Sequence, residues 1–557
     1  MKLNEFNRKL KKEYNDTFKE IKVKRSFHFG FKQLVLSMLS LVVILLVVDH
    51  INISIHNYKV DKIKEEIMNK TELEKVNTYD DYLKIRNKTN IVKETSLLSE
   101  ILNFKIACAS ANPNGSAPGD VGNQTNTNVQ FEGIDEADVA KCDGEYIYSL
   151  NSTQLIIYNL DGDIVSSIDD DSFELYVDNY VVVTIGEIIT NVYLFEEESL
   201  ILNNSITYSK YNDSRLKDHH LYLVSSNMIN ESNIAYGNCY SDLFVNPYFV
   251  YTITDIDLND FSVKEVQTLS GYNTIIYMSN NHFYFSVSNR FNNIYITSIV
   301  IYDIELNPVG LIRVDGTILN QFSMDEYNGY FRVVSTDISK NAGYINAVSI
   351  YDLDTLEKLG YLNEDIGIGR QIIKSVRFEG DVCYCVTYEN RDPLYEINVS
   401  DPYNPIIVSK YESPGYSNYL HNFSINDTEY VLGLGFTDSL VNTKISVYLS
   451  ENGTEQIGKD YIIGNDLYSD KCDYYNENHN VDMFSNHKAL FIYSDGVCLY
   501  LGVNLSNKNY TIFKIDVSAG DVVSIFKEFE TDFNSRCFLI DGKLLITCEE
   551  ELIISNW

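Results

Sequence analysis

The sequence predicts an all-β fold: a β-propeller of about eight four-stranded blades, or nine if the last strands count as one more. A single transmembrane helix and a short helical stalk precede it. Three observations carry this. From Ile134 onward a strand-rich unit recurs every 40 to 60 residues or so, the length that a four-stranded blade needs. No helical stretch longer than two turns interrupts it. Near the N-terminus lies an uncharged, largely apolar run with a basic segment before it.

Residues 1–28 form a basic head. Residues 1–32 hold ten Lys and Arg against four Asp and Glu, in a chain whose net charge is −35. A basic head on an acidic body fits two sides of a membrane. The acidity of the body excludes a nucleic-acid partner, since phosphate contacts need Lys and Arg. Leu34 to Val48 is uncharged and apolar apart from Ser37 and Ser40. Extended over residues 29–50, with Lys32 snorkelling, it reaches the roughly 20 residues of a membrane helix. The charged head is too long for a cleaved signal peptide, and no small-x-small site follows the run. The positive-inside rule then puts the N-terminus in the cytoplasm. The expectation is a single-pass plasma-membrane protein, held in the membrane through residues 29–50, with its body outside the cytoplasm.

Residues 51–106 mix charges with spaced apolar residues. Val60, Ile63 and Ile67 follow helical spacing, and Thr78 is placed to N-cap a second helix. This is the helical stalk. Residues 107–126, rich in Ala, Asn, Gly, Pro and Ser, read as a flexible linker. Residues 127–557 are the propeller.

Tyr is unusually frequent, at 43 residues in the whole chain, a preference that suits half-buried strands. Asp143–Leu150 with Gln154–Gly162, Tyr330–Ser335 with Ala347–Asp354, and Asp381–Tyr388 with Leu394–Asp401 repeat one pattern of paired apolar strands and polar turns. Blades are expected over 134–168, 171–212, 213–269, 272–315, 317–367, 370–415, 416–464 and 465–530. Residues 535–557 leave about three further strands, which would join Val129–Phe131 to close the ring. Radial repetition of this kind disposes of exposed strand edges. With Trp557 the only Trp, a Trp-Asp repeat signature is excluded. The nine Cys are odd in number and dispersed, unlike a disulfide scaffold. Cys383 and Cys385 share one strand face and read as buried small side chains.

Several stretches resemble an uncharacterised family of secreted or membrane-anchored β-propeller proteins of bacteria and archaea, distantly related to WD repeats. They are Asn128–Asp138 with Asp143–Tyr148, Asn320–Val334, Ser375–Asp381, Ser400–Pro405, Pro414–His421 and Asn486–Leu490. The resemblance runs in order through residues 126–557. It departs at Ala140, at Cys142 and in an insertion near residues 470–481. It implies the propeller fold and an exterior location, and no reaction.

Carboxylates crowd between Glu132 and Asp143. Asp135, Glu136 and Asp138 are the candidate metal ligands, since a hard cation such as Ca²⁺ takes oxygen donors from alternating loop positions. The spacing matches no EF-hand loop, and turn capping is the competing account. Arg377, Tyr419 and His421 are the candidate ligand-binding residues, placed where alternate strand positions face the channel mouth. No Gly-x-Ser-x-Gly elbow or Ser/His/Asp framework is present, so no catalytic residue is assigned. The expected function is a binding or scaffolding module for a protein or cell-envelope glycan ligand. An envelope polysaccharide hydrolase with its site at the channel is the alternative.

Overall fold

The computed structural model describes Met68, residues 70–90 and residues 127–557. Within the last range it omits 243–246, 272–273, 292–293, 339–342, 368, 390–391, 439–441, 451–452, 464–485, 506–508, 532–533 and 550. The described β-sheets form a nine-bladed propeller. The expected membrane helix at 29–50 and linker at 107–126 lie outside the described residues. No described helix is long and apolar enough to cross a membrane.

Blades one to eight occupy 140–169, 174–207, 211–270, 274–315, 324–362, 372–413, 416–463 and 491–530. Most have four antiparallel strands in simple succession, and blades three and seven carry extra ones. The ninth, 537–556, has three strands. The predicted boundaries of the first seven blades fall within seven residues of these. The closure differs from expectation. Residues 537–556 form a blade of their own, and Val129–Phe131 belongs to no strand.

Sequence chemistry explains the regularity. The middle strands bury both faces, so they read as nearly continuous apolar runs: Val181–Ile185 is VVVTI and is buried throughout. Outer strands alternate, as in Ile406–Ser413. Asn328-Gly329 and Asp541-Gly542 join strands with both residues at positive φ, the type I′ turn whose twist matches antiparallel strands. Glu197-Glu198 and Asp218-His219 adopt the same conformation with residues that do not advertise it.

Each pair of neighbouring blades shares its own apolar cluster. Blades one and two meet through Tyr148, Leu155, Val182 and Tyr193. Blades eight and nine meet through Tyr510, Ile512, Leu539 and Ile546. The ring closes where Phe538, Ile540 and Leu545 of blade nine meet Ala140, Ile147 and Tyr158 of blade one. Full burial of each such side chain contributes roughly 1.5–3 kcal/mol, so closure needs no strand exchanged between first and last blades.

Part of the expected stalk is built into the ring. Glu74–Lys75 pairs with Cys239–Ser241 at the edge of blade three. The helix Tyr79–Asn90 follows, capped as expected: the Thr78 hydroxyl accepts from Asp81 N at 3.2 Å, and Thr78 N donates to the Asp81 carboxylate at 3.1 Å. Val76, Tyr82 and Ile85 pack on Cys239, Val250 and Leu269 of blade three. The sequence reads this helix as part of a stalk, whereas one face of it is covered by the sheet of blade three.

Candidate functional site

The innermost strand of each blade comes first in its repeat, so the strands Glu174–Asp178, Tyr211–Lys217, Met324–Tyr327 and their counterparts surround the axis. Residues 127–141 do not begin blade one directly. Asp135 exchanges two backbone hydrogen bonds with Leu216 of blade three, and Asp138 two with Leu175 of blade two. Gln130 Nε2 donates to the Gln321 carbonyl at 3.1 Å, just before blade five. Asn128 Nδ2 donates to Tyr419 OH of blade seven at 3.1 Å and to the His487 carbonyl before blade eight at 3.0 Å. Asp138 receives Arg536 Nε and Nη2, both at 2.8 Å, before blade nine. A segment of about a dozen residues reaching six of nine blades must lie where they converge, on the axis.

The side chains it carries there are charged, and each has a partner. Glu136 is 4% exposed. One oxygen accepts from Gln130 N at 3.2 Å and Gln321 Nε2 at 3.1 Å; the other lies 2.9 Å from His487 Nε2. Arg215 Nη2 donates to the far side of Gln321 at 2.8 Å. Burial alone would raise the Glu136 pKa, but the positive charge of Arg215 and His487 wins and holds it well below the carboxylate range. Asp138 behaves likewise: burial opposes ionisation, and Arg536 overcomes it. Lys141 Nζ donates to Asp135 at 2.6 Å, to Thr127 Oγ1 at 2.7 Å and to the Glu136 carbonyl at 2.6 Å. Lys488 pairs with Glu174.

These contacts correct the metal reading. Asp135, Glu136 and Asp138 do not converge: they face Lys141, His487 and Arg536 respectively. Donors of this chain occupy the oxygens that Ca²⁺ would need, so the residues do not fit that ion. No cluster of three metal-ligating side chains occurs among the described residues. The competing account fits Asp143, whose Oδ1 accepts from Glu145 N and Tyr146 N across a turn.

Arg377, Tyr419 and His421 do share the axial wall, but all three are buried at 3%, 1% and 1% exposure. Of the crossing segment, Asn128 bonds Tyr419 and Gln130 lines a cavity with Arg377. Tyr419 stacks parallel to His421, with the hydroxyl 3.4 Å from Nδ1. Burial lowers the Arg377 pKa against the opposing pull of Glu379. Beside Arg377 lies a cavity of about 20 Å³ lined by Gln130, Tyr277, Asp325 and Phe378, the size of one water. Sequence reasoning missed Lys141, Arg215, Gln321 and Arg536. For Gln321 and Arg536 the signal is pairing with Glu136 and Asp138 across 185 and 398 residues, and no local pattern carries it.

Comparison with known proteins now adds the lineage. A family model described as a beta propeller domain matches residues 124–528. The chain belongs to the beta propeller domain family. This beta propeller is 32% identical over 260 residues to an uncharacterised protein of Archaeoglobus fulgidus, covering 46% of this chain and 36% of the relative. It is 28% identical over 423 residues to the uncharacterised protein MJ1554 of Methanocaldococcus jannaschii, covering 58% of this chain and 66% of the relative. The matches thus span about a third and two thirds of those relatives. Among solved structures, apo AztD from Citrobacter koseri aligns at TM-score 0.37 and 9% identity, over 69% of this chain and 94% of that one. That likeness is too loose to bear on function.

Proposed function

We propose that this beta propeller is a membrane-anchored binding module, displayed outside the cytoplasm, for a protein or cell-envelope ligand. The observation that carries the binding reading is the axial segment. It ties six blades together through neutralised charges, which makes the ring a rigid scaffold whose rims and interblade surfaces are held in fixed positions. Preformed surfaces of this kind bind without an ordering cost. The anchor reading rests on the apolar run Leu34–Val48 behind ten basic residues.

Two measurements test it. Protease added to intact cells is expected to cleave the propeller, while inside-out vesicles protect it; the reverse pattern overturns the orientation. Photo-crosslinking from rim positions of the full-length protein in native membranes is expected to capture a recurrent protein or wall fragment. Capture of nothing, together with glycan turnover by the purified protein, would establish a hydrolase instead.

A further inference from the structure

Between blades two and three the apolar seam gives way to a polar cleft of about 200 Å³, ten times the cavity beside Arg377. The seam itself is ordinary. Leu221 and Ile256 are cross-strand partners, and both pack on Val181, Val183 and Val192 of blade two. Side chains on one sheet face recur every second residue, so Ser225 and Thr252 lie on that same face further along. There Ser225 opposes Thr252, and Thr252 opposes Gln267, so three polar side chains form one rung across three strands.

The rung is organised to offer hydrogen bonds. Gln267 is fixed: its Oε1 accepts from Ala235 N at 2.7 Å, and its Nε2 donates to the Asn233 carbonyl and to Thr252 Oγ1, both at 3.2 Å. The Thr252 hydroxyl, having accepted, still has its proton to give. Ser225 is 8% exposed and lines the cleft, and its hydroxyl has no hydrogen-bond partner among the described residues. Facing an open cleft, that hydroxyl is available to a ligand. Asn227 stands exposed at the mouth. Across the cleft Tyr208 presents a ring that cannot swing away, because its hydroxyl donates to the Gly186 carbonyl at 2.8 Å.

We infer that this cleft binds one neutral sugar residue of a glycan. No Lys, Arg or His lines it, and its one carboxylate, Glu265, accepts from Thr254 Oγ1 at 3.2 Å, so it offers nothing to a phosphate or carboxylate. Hydroxyls and amides suit a polyol, and a fixed aromatic ring suits the apolar C–H face of a pyranose. The volume lies below the roughly 300–1,000 Å³ of drug-sized sites, which fits a single ring, and the exposed mouth at Thr207, Ser209 and Asn227 lets a chain continue outward. The inference rests on the binding-module reading and names its ligand class.

Saturation-transfer NMR on the full-length protein in detergent micelles tests it, with methyl glycosides of glucose, galactose, mannose, N-acetylglucosamine and N-acetylgalactosamine. At least one is expected to bind with millimolar affinity. The double variant S225A/N227A is expected to weaken it about tenfold, and S225W, which fills the cleft, to abolish it. An unchanged thermal midpoint for S225A/N227A shows that the fold is intact. Binding by none of the five sugars, meaning a cleft that holds water only, overturns the inference. So does binding that S225W leaves unchanged. If rim crosslinking to a partner persists in S225W while no sugar binds, the sugar site fails and the module reading stands.

Discussion

Asp138 and Arg536, 398 residues apart, meet in a two-pronged ion pair, with Nε and Nη2 each 2.8 Å from a different carboxylate oxygen. Both side chains are at most 5% exposed. The pair joins the segment ahead of blade one to the chain ahead of blade nine. Removing one partner leaves the other charge buried and alone, which costs about 3–5 kcal/mol. R536A and D138A are each expected to lose that much in urea unfolding. D138A/R536A is expected to lose less than the sum, and an additive double variant would show that the two groups act separately.

Glu326 gives a pH signature. It accepts hydrogen bonds from Asn281 Nδ2 at 3.0 Å and Tyr284 OH at 2.6 Å, with His282 Nδ1 at 3.0 Å and Ser279 also bonded. Burial would raise its pKa, but these groups hold it down to about 2. The unfolded value is about 4.3. A depressed folded pKa contributes stability that is complete above the unfolded value and is lost as pH falls toward the folded one. Between about pH 4.5 and 2, E326Q is therefore expected to flatten the stability curve by up to about 1.4 kcal/mol per pH unit relative to wild type. Identical slopes would rule out this group as a contributor.

Thiol chemistry should divide the cysteines. Cys239, Cys383, Cys385, Cys498 and Cys537 are buried and free of disulfides, whereas Cys142 and Cys548 are half-buried. Burial pushes the Cys239 thiol up to about 12, and Cys383 and Cys537 rise too. At pH 8 the five buried thiols are expected to react with iodoacetamide only after denaturation, read by peptide mass mapping. Rapid native labelling of Cys383 would contradict the packing described.

Gly435 is a packing requirement. A Cβ there would overlap the backbone of Tyr416 and Ser417, at the bulge where blade seven's first two strands cross. Backbone cannot yield as a side chain does, so G435A is expected to cost about 1–3 kcal/mol. The comparison is G542A, where the added carbon meets nothing within 4 Å and only the positive φ opposes it.

The fold was legible because its determinants are local. Runs such as Val181–Ile185 and turns such as Asn328-Gly329 carry period and twist within a few residues. The ninth blade was half-legible: three strands were visible at the end, and their autonomy was not, since that depends on Leu545 and Ile540 meeting Ile147 from the far end of the chain. The axis was legible in part. Arg377 lies on the first strand of blade six and Tyr419 and His421 on that of blade seven, but sequence alone could not show Asn128 reaching Tyr419 or Gln130 lining the cavity beside Arg377. Asp135, Glu136 and Asp138 were read as one cluster because they are neighbours in sequence. Paired backbone bonds to two different blades turn them toward three different partners, Lys141, His487 and Arg536. The cleft at Ser225 and Thr252 leaves almost no trace in sequence, because a Ser or Thr in a strand is unremarkable until its neighbour blade fails to cover it.

The axial segment also sets a timetable for biosynthesis. As the chain emerges, Asp135 and Asp138 can find Leu216 and Leu175 within about eighty residues. Gln130 must wait for Gln321, Asn128 for Tyr419, and Asp138 for Arg536. Until the last blade is made, Asp138 stands without Arg536, and blade one has no neighbour on its open side. Loop-closure entropy over such separations makes the final step slow. A factor that shields nascent chains would find its substrate in this waiting period, and a stall after blade eight would leave a nearly complete ring that cannot lock.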